Sequence, residues 1–286
     1  MPLIQEKKTI VITGGNSGIG FETAKVLTLR GYRVTITGRD EAKLSQAVST
    51  IRVATRGDIR YRLGDFASFD SVRTLAEELL QEPRIDVLIN NVGIVCSRRT
   101  ISQDGNEMVL QVNHLSPFLL THLLLDKIKA SAPARIVNIS SRSHRFALHH
   151  GFDDLQCAHA FGAASSYSRT KLYNILFTRE LARRLEGTGV TANALHPGVI
   201  VSRIGLDGDL HGVMKIFMTL RQHFKSPAEM GSRVARFVAT APEIEGVSGE
   251  YFSTNLQPVQ PTRLARDDEA ACRLWQISCR LVGLSA

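Results

Sequence analysis

The chain predicts an α/β fold: a doubly wound, mostly parallel sheet of seven strands with helices on both faces. Three observations carry this. Short β-branched runs alternate six times with longer amphipathic stretches along the 286 residues, the pattern of βαβ units around a parallel sheet. A glycine-rich turn, Gly14-Gly-Asn-Ser-Gly18-Ile-Gly20, stands between the first such run and the first helical stretch. No Pro/Gly-rich linker, low-complexity segment or short-period repeat divides the chain, so one domain over residues 1–286 is expected, with halves meeting near residue 135.

Thr9-Ile-Val-Ile-Thr13 reads as a buried strand, and Phe21 to Arg30 as the helix after the glycine turn, stopped by Gly31. In this setting glycines allow a sharp turn and close approach of a pyrophosphate, while the helix N-terminus offers free N–H groups and a positive dipole end. The spacing is Gly-x-x-x-Gly-x-Gly rather than the commoner Gly-x-Gly-x-x-Gly, and a purely structural turn is the alternative. The candidate phosphate-binding residues are Gly14, Asn16, Ser17, Gly18, Ile19 and Gly20. The second strand, Arg33 to Thr37, runs into Gly38-Arg39-Asp40 with no acid before the arginine. An acid at this place bonds a ribose 2′-hydroxyl, whereas an arginine accommodates a 2′-phosphate. Arg39 therefore favours NADP(H) over NAD(H), with Asp40 as the residue that argues the other way.

A helix is expected over about 41–53, a third strand over Ile59–Gly64 ending at Asp65-Phe66, and a helix over Asp70–Gln81. The fourth strand, Ile85–Asn90, ends at Asn91-Val92-Gly93, small and polar groups at the carboxyl end of the sheet, where open α/β sheets bind ligands. A helix over 105–125 carries Asn113, a residue mildly unfavourable in mid-helix that faces either solvent or a specific partner. Strands at Ala134–Ser140, Gly189–Leu195 and Glu250–Ser253, a helix opened by Pro227 and a helical tail over 267–284 complete the pattern. The stretch 199–226, with Val213-Met-Lys-Ile-Phe-Met218, is either a substrate lid or an ordinary core-covering helix.

Tyr167 and Lys171 stand four apart where a polar, small-residue stretch gives way to an amphipathic helix. Residues at that spacing share a helix face. A nearby cation favours the phenolate and lowers the phenol's pKa of about 10, so the pair suits proton transfer to or from an alcohol.

Composition bounds the rest. The apolar run Pro117–Leu125 falls short of the ~20 residues of a bilayer span, and the N-terminus lacks the pattern of a signal peptide. A soluble, cytoplasmic protein without a transmembrane segment is expected. Cys96, Cys157, Cys272 and Cys279 have neither disulfide-motif nor zinc spacing, so no metal is expected. A formal charge of +8 without basic runs or interleaved aromatics gives no support for a nucleic-acid partner.

Together, Gly14-x-x-x-Gly18-x-Gly20, Asn90-Asn-Val-Gly93, Asn113, Ser141, Tyr167-x-x-x-Lys171 and Pro197-Gly198 resemble the short-chain dehydrogenase/reductase superfamily, whose members have a Rossmann fold. Gln111 to Thr121, Asn174 to Leu185, Gly249 to Ser253 and Arg273 to Cys279, with a long connection between Ser141 and Tyr167, resemble its retinol dehydrogenase branch. Two features depart from that pattern: Val92 stands where alanine is usual, and the chain starts just before its first strand, whereas many members of the branch carry an N-terminal membrane anchor.

The resemblance implies an NADP(H)-dependent oxidoreductase that interconverts a carbonyl and an alcohol on a lipophilic small molecule. Tyr167 would be the proton donor or acceptor, Lys171 would lower its pKa and bond the nicotinamide ribose, and Ser141 would hydrogen-bond the substrate oxygen; Ser140 is the alternative, since adjacent hydroxyls on an extended segment point to opposite sides and only one can face the site. Asn113 would hold a water of a proton relay. Asp65 and Phe66 would meet the adenine, Asn91 with Val92 and Gly93 the adenine-ribose side, and Pro197, Gly198 and Ile200 the nicotinamide. A polyketide- or steroid-like alcohol of a biosynthetic pathway is a second substrate class, and a non-catalytic NADP-binding sensor a second function class. Helices around Asn113 and Tyr167 form dimer faces in many members, so a homodimer is among the expectations.

Overall fold

The protein's structure, a computed structural model, describes residues 7–198 and 228–285. Seven strands form one sheet in the order β3-β2-β1-β4-β5-β6-β7. They are β1 (Thr9–Thr13), β2 (Arg33–Gly38), β3 (Ile59–Leu63), β4 (Val87–Asn90), β5 (Ala134–Ile139), β6 (Val190–Leu195) and β7 (Tyr251–Phe252). Every strand pair is parallel. Parallel strands need crossover connections. Among the described residues these are α1 (Gly18–Leu29), α2 (Glu41–Thr55), α3 (Phe69–Leu80), α4 (Met108–Ala130), α5 (Ala163–Arg184) and α6 (Ala228–Thr240), with α7 (Asp268–Leu281) closing the chain.

Two cores follow from the two faces. On one, α1, α2 and α6 pack an aliphatic layer including Ile12, Ile36, Leu44, Ile51 and Val238 against the sheet. On the other, α3, α4, α5 and α7 enclose an aromatic-rich layer. There Trp275 of α7 lies 4.9 Å from Phe118 of α4 and 5.9 Å from Phe177 of α5, and the Arg184 guanidinium lies 4.3 Å over its ring. The C-terminal helix thus seals α4 and α5 within a single chain.

The sequence-derived elements and the structure agree in type and order, with shifts at the ends. Residues 163–166 are the first turn of α5 rather than a segment before it, and Ser140 lies just past β5. The expected helix over 105–125 begins at Met108, because the Glu107 carboxylate accepts the N–H groups of Val109 and Leu110 and caps the helix there. The run Met108–Ala130 also corrects the expectation about apolar length. It is 23 residues long with a window hydropathy of 1.3, long and apolar enough to cross a bilayer by length and composition, because few of the residues that interrupt the window are charged. In the fold, 78% of that window is buried as a core helix. The stretch 199–226, read as lid or core cover, and Ile200 within it lie outside the described residues.

The chain leaves β3 at one edge and re-enters the sheet at β4, beside β1. The connections from β1 and β4 therefore depart to opposite faces, opening a crevice at their carboxyl ends.

Candidate active site

The crevice floor is the β1–α1 turn, and it is held from behind. Thr13 Oγ1 accepts the backbone N–H groups of Asn91 (3.0 Å) and Val92 (3.1 Å), while Asn91 Nδ2 donates to the carbonyls of Thr13 (2.7 Å) and Gly14 (3.0 Å). Gly18 has φ +57°, a left-handed backbone that glycine adopts without strain. A Cβ at Gly20 would stand 2.5 Å from the Gly14 carbonyl oxygen and 2.7 Å from Asn91 Nδ2, so only glycine lets α1 approach the turn this closely. Ser17 occupies the N-cap of α1 without a side-chain capping bond, and the first turn carries no acid. Its N–H groups and positive dipole end are left for an anion. Ile19 contributes to the core and Asn16 lies beside Gly38 at the end of β2.

Next to that turn, Arg39 is exposed and makes no ion pair among the described residues. Asp40 is otherwise engaged. Its carboxylate accepts the Lys43 N–H (3.0 Å) at the N-cap of α2 and pairs with the Lys43 ammonium (3.2 Å), which holds it below the usual carboxylate range. At the end of β3, Asp65 Oδ1 accepts the Ala67 N–H (3.0 Å). The Phe66 ring is buried in the core, and its carbonyl accepts from Ser116 Oγ (2.7 Å), so what Phe66 offers the crevice is backbone.

The segment Asn91-Val92-Gly93 runs from the glycine turn to a second cluster. A Cβ at Gly93 would come within 3.3 Å of Lys171 Nζ and 3.6 Å of Asn113 Oδ1. Asn113 sits in a π-helical turn of α4, Gln111–Leu115, a local widening common at functional sites. It is fully buried and has specific partners: Oδ1 accepts the Ile94 N–H (2.7 Å), and Nδ2 donates to the Ile94 carbonyl (3.0 Å) and to Thr170 Oγ1 (3.1 Å). Thr170 in turn donates to the Tyr167 carbonyl (2.8 Å), so Asn113 joins the loop after β4 to the first turns of α5. For the relay water expected from the resemblance, the carboxamide has one free lone pair of Oδ1 left.

Lys171 is 3% exposed. Its Nζ donates to the Ile139 carbonyl (3.1 Å) and lies 5.5 Å from the centre of the Tyr167 ring. Ser140 Oγ donates to the Lys171 carbonyl (2.7 Å) and is spent on joining β5 to α5. Ser141, whose hydroxyl is bonded to Ser143, is the serine that hydrogen-bonds Tyr167. Burial pushes the Tyr167 phenol up to about 12 against that hydrogen bond, and burial draws the Lys171 ammonium from 10.5 down to about 8. Burial sets the direction of the Tyr167 shift in the free protein. The ammonium stands over the ring rather than at the hydroxyl, and a site this dry disfavours a charge on either group. Pro197 and Gly198 close the far side, where the Gly198 N–H donates to His196 Nδ1 (3.2 Å).

The family model described as short chain dehydrogenase matches residues 8–207. The chain belongs to the short-chain dehydrogenase family. Its curated relatives include human retinol dehydrogenase 13, 44% identical across 98% of this chain and 86% of the relative, and human retinol dehydrogenase 14, 42% identical across 99% and 88%. Mouse retinol dehydrogenase 12 is 42% identical across 97% and 87%. A solved structure of an uncharacterised protein from Mycobacterium paratuberculosis superimposes with a TM-score of 0.77 at 31% identity, covering 97% of this chain and 94% of that one. A second, from Beutenbergia cavernae and described as an NAD(P)-dependent gluconate 5-dehydrogenase, was solved with NADP at low occupancy. Its TM-score is 0.68 at 26% identity, covering 87% and 96%.

This short-chain dehydrogenase has further buried polar contacts whose partners its sequence did not show. Asn90 Nδ2 bonds Thr121 of α4 (2.9 Å) and Asn138 of β5 (2.8 Å), and Asn138 Nδ2 bonds Thr178 of α5 (2.9 Å). This buried row sets the two helices that carry Asn113 and Tyr167 against the sheet. An asparagine among buried aliphatic residues in each of two strands was the available signal. Buried Glu107 takes a further bond from Ser166 Oγ (3.2 Å), beside Tyr167, and buried Arg169 bonds the Asp154 carbonyl (3.1 Å) and Cys157 Sγ. No local pattern announced those contacts.

Proposed function

We propose that the chain is an NADP(H)-dependent oxidoreductase that interconverts a carbonyl and an alcohol on a lipophilic substrate, with Tyr167 exchanging the proton. The observation that carries it is the convergence of Ser141, Tyr167, Lys171 and Asn113 at the carboxyl ends of β4 and β5, one short segment away from an uncapped helix N-terminus over a glycine turn. The residues fit a dinucleotide bearing a 2′-phosphate. The α1 N-terminus, Gly14 to Gly20, suits the pyrophosphate, and Arg39, exposed and without an ion pair among the described residues, suits the 2′-phosphate while Asp40 is committed to its cap. Asp65, the Phe66 backbone and Asn91 to Gly93 border the adenosine side, and Pro197, Gly198 and Ile200 the nicotinamide side. The whole chain acts as one domain, with a cofactor half to about residue 135 and a catalytic half beyond it.

A bound nicotinamide supplies or accepts the hydride. Within the chain, the Ser141 hydroxyl donates to the substrate oxygen, the place where negative charge grows during reduction. Tyr167 delivers its proton to that oxygen, or removes it in the oxidative direction. Burial disfavours a lone phenolate and a lone ammonium, but a phenolate–ammonium pair is neutral as a unit. Lys171 therefore stabilises the Tyr167 phenolate at the moment the proton leaves. Asn113 holds the loop around Ile94 against α5 and keeps the lysine and tyrosine in register.

Support for a lipophilic substrate comes from the names of the relatives and from the loop after Ser141, where Phe146 and Leu148 are 72% and 90% exposed. The test is titration of the purified protein with NADPH and NADH, then turnover with lipophilic aldehydes and ketones. Tighter NADPH binding with turnover is expected. Tighter NADH binding would remove the role of Arg39, and cofactor binding without turnover across a broad panel would remove the enzymatic role.

A further inference from the structure

His144 is buried with 0% exposure, lies three residues beyond Ser141 and has no place in the proton path. It is the one buried residue of the short 3₁₀ turn Arg142–Phe146, whose other residues are exposed or half-exposed. Its ring Nδ1 lies 2.7 Å from the Ser141 carbonyl oxygen, which also accepts the His144 backbone N–H at 3.2 Å. A carbonyl only accepts, so Nδ1 carries the proton and Nε2 keeps its lone pair. The Thr262 N–H points at that lone pair from 3.4 Å. The ring stands edge-on to Tyr251 of β7, with centroids 5.1 Å apart and the Tyr251 hydroxyl 3.4 Å from Nδ1. An otherwise surface-lying turn is thus tied to the sheet and to the C-terminal segment through one imidazole.

We infer that His144 is a positioning residue for Ser141: its Nδ1–H holds the Ser141 carbonyl and thereby fixes the Ser141 hydroxyl against Tyr167. The inference rests on the reading of Ser141 as the group that meets the substrate oxygen. A singly protonated ring is what the site accommodates, since a proton on Nε2 would face the Thr262 N–H, donor against donor. The charged and titratable neighbours agree. Arg142 and Arg145 come from the same turn, Tyr251 from β7 and His196 from the end of β6, and none brings a negative charge at neutral pH. Burial depresses the His144 pKa in the same direction.

Three substitutions separate holding from packing. His144→Phe keeps the ring volume and removes both nitrogens. His144→Asn keeps an amide N–H near the Nδ1 place, and His144→Gln carries it to the Nε2 place. Steady-state turnover of a lipophilic aldehyde with NADPH is measured for each, alongside Ser141→Ala, the Ser141→Ala/His144→Phe double variant, NADPH binding and melting temperature. His144→Phe and His144→Gln are expected to lose about 10- to 100-fold in kcat, the cost of displacing a reacting group by around an ångström. NADPH affinity should stay unchanged, His144→Asn should recover most of kcat, and the double variant should be no slower than Ser141→Ala. Wild-type kcat in His144→Phe or His144→Gln beside an impaired Ser141→Ala overturns this inference and leaves the role of Ser141 intact. Equal losses in all three histidine variants overturn it in favour of packing. Full turnover in Ser141→Ala removes the Ser141 assignment and this inference together.

Discussion

The β1–α1 turn and the corner formed by Ser141, Tyr167 and Lys171 both lie at the carboxyl ends of the strands, yet they are built from different material. The turn is backbone: glycine positions, an uncapped helix end, and the Thr13–Asn91 bonds that fix its carbonyls from behind. The corner is side chain: a 3%-exposed lysine, a half-buried tyrosine and a fully buried asparagine, each held by a partner from another element. A backbone device offers N–H groups that are already oriented and costs little to leave open. A buried-charge device destabilises the fold until its charges are paired. Changes at the corner should therefore affect turnover far more than cofactor binding, and changes at the turn the reverse.

The largest effect should come from Lys171→Met, with kcat falling about 10²- to 10³-fold, within the range of lost acid–base assistance, while NADPH affinity falls by about 10-fold at most, the share of one hydrogen bond to the ribose. A parallel collapse of NADPH affinity would show that the two regions are not separable. Arg39→Ala should weaken NADPH about 10- to 100-fold, the worth of one or two charge-assisted hydrogen bonds, and leave NADH within about twofold. Equal weakening of both would place Arg39 away from the 2′-phosphate. Gly20→Ala should destabilise the protein by about 1–3 kcal/mol, as overpacking does, and lower cofactor affinity, because its Cβ would meet the Gly14 carbonyl at 2.5 Å. An unchanged melting temperature would mean the turn yields.

The smallest effect is on stability and has an unusual sign. Burial lowers Lys171 from 10.5 to about 8, so the unfolded chain binds its proton more tightly. Below about pH 8 the lysine is charged in both states and the full penalty applies. Between about 8 and 10.5 the folded state alone has released the proton, so stability rises with pH. Lys171→Met should then stabilise the protein at pH 7 by roughly 2 kcal/mol, after allowing for the lost bond to the Ile139 carbonyl. The gain should shrink toward pH 10, which thermal melts of the two proteins at pH 7 and pH 10 would show. A variant less stable than wild type at pH 7 would mean that the hydrogen bond outweighs the burial cost.

The same contrast explains what was legible in the sequence. Strand and helix order, the switch point and the glycine turn depend on local patterns, β-branched runs, 3.6-residue periodicity and glycine spacing, and these can be read residue by residue. Tyr167 and Lys171 were legible because one helix turn brings them together. The supports of the corner join residues far apart in the chain: Asn113 with Ile94, Asn90 with Asn138 and Thr121, and His144 with Ser141, Tyr251 and Thr262. Sequence spacing carries no sign of such pairings. How strongly burial acts on Tyr167 was not legible for a related reason, since sequence shows which charge is near but not how much water is excluded. Asp40, the residue that argued for a free ribose hydroxyl, caps α2, and where a helix begins is not legible from one residue alone.

In the proposed mechanism Tyr167 moves the proton while the separate turn holds the cofactor. The direct test is kcat for NADPH-dependent reduction of a lipophilic aldehyde by wild type and Tyr167→Phe, with NADPH affinity measured on both. The account predicts a loss of about 10²- to 10⁴-fold in kcat with affinity preserved. A Tyr167→Phe variant that turns over at the wild-type rate would contradict it.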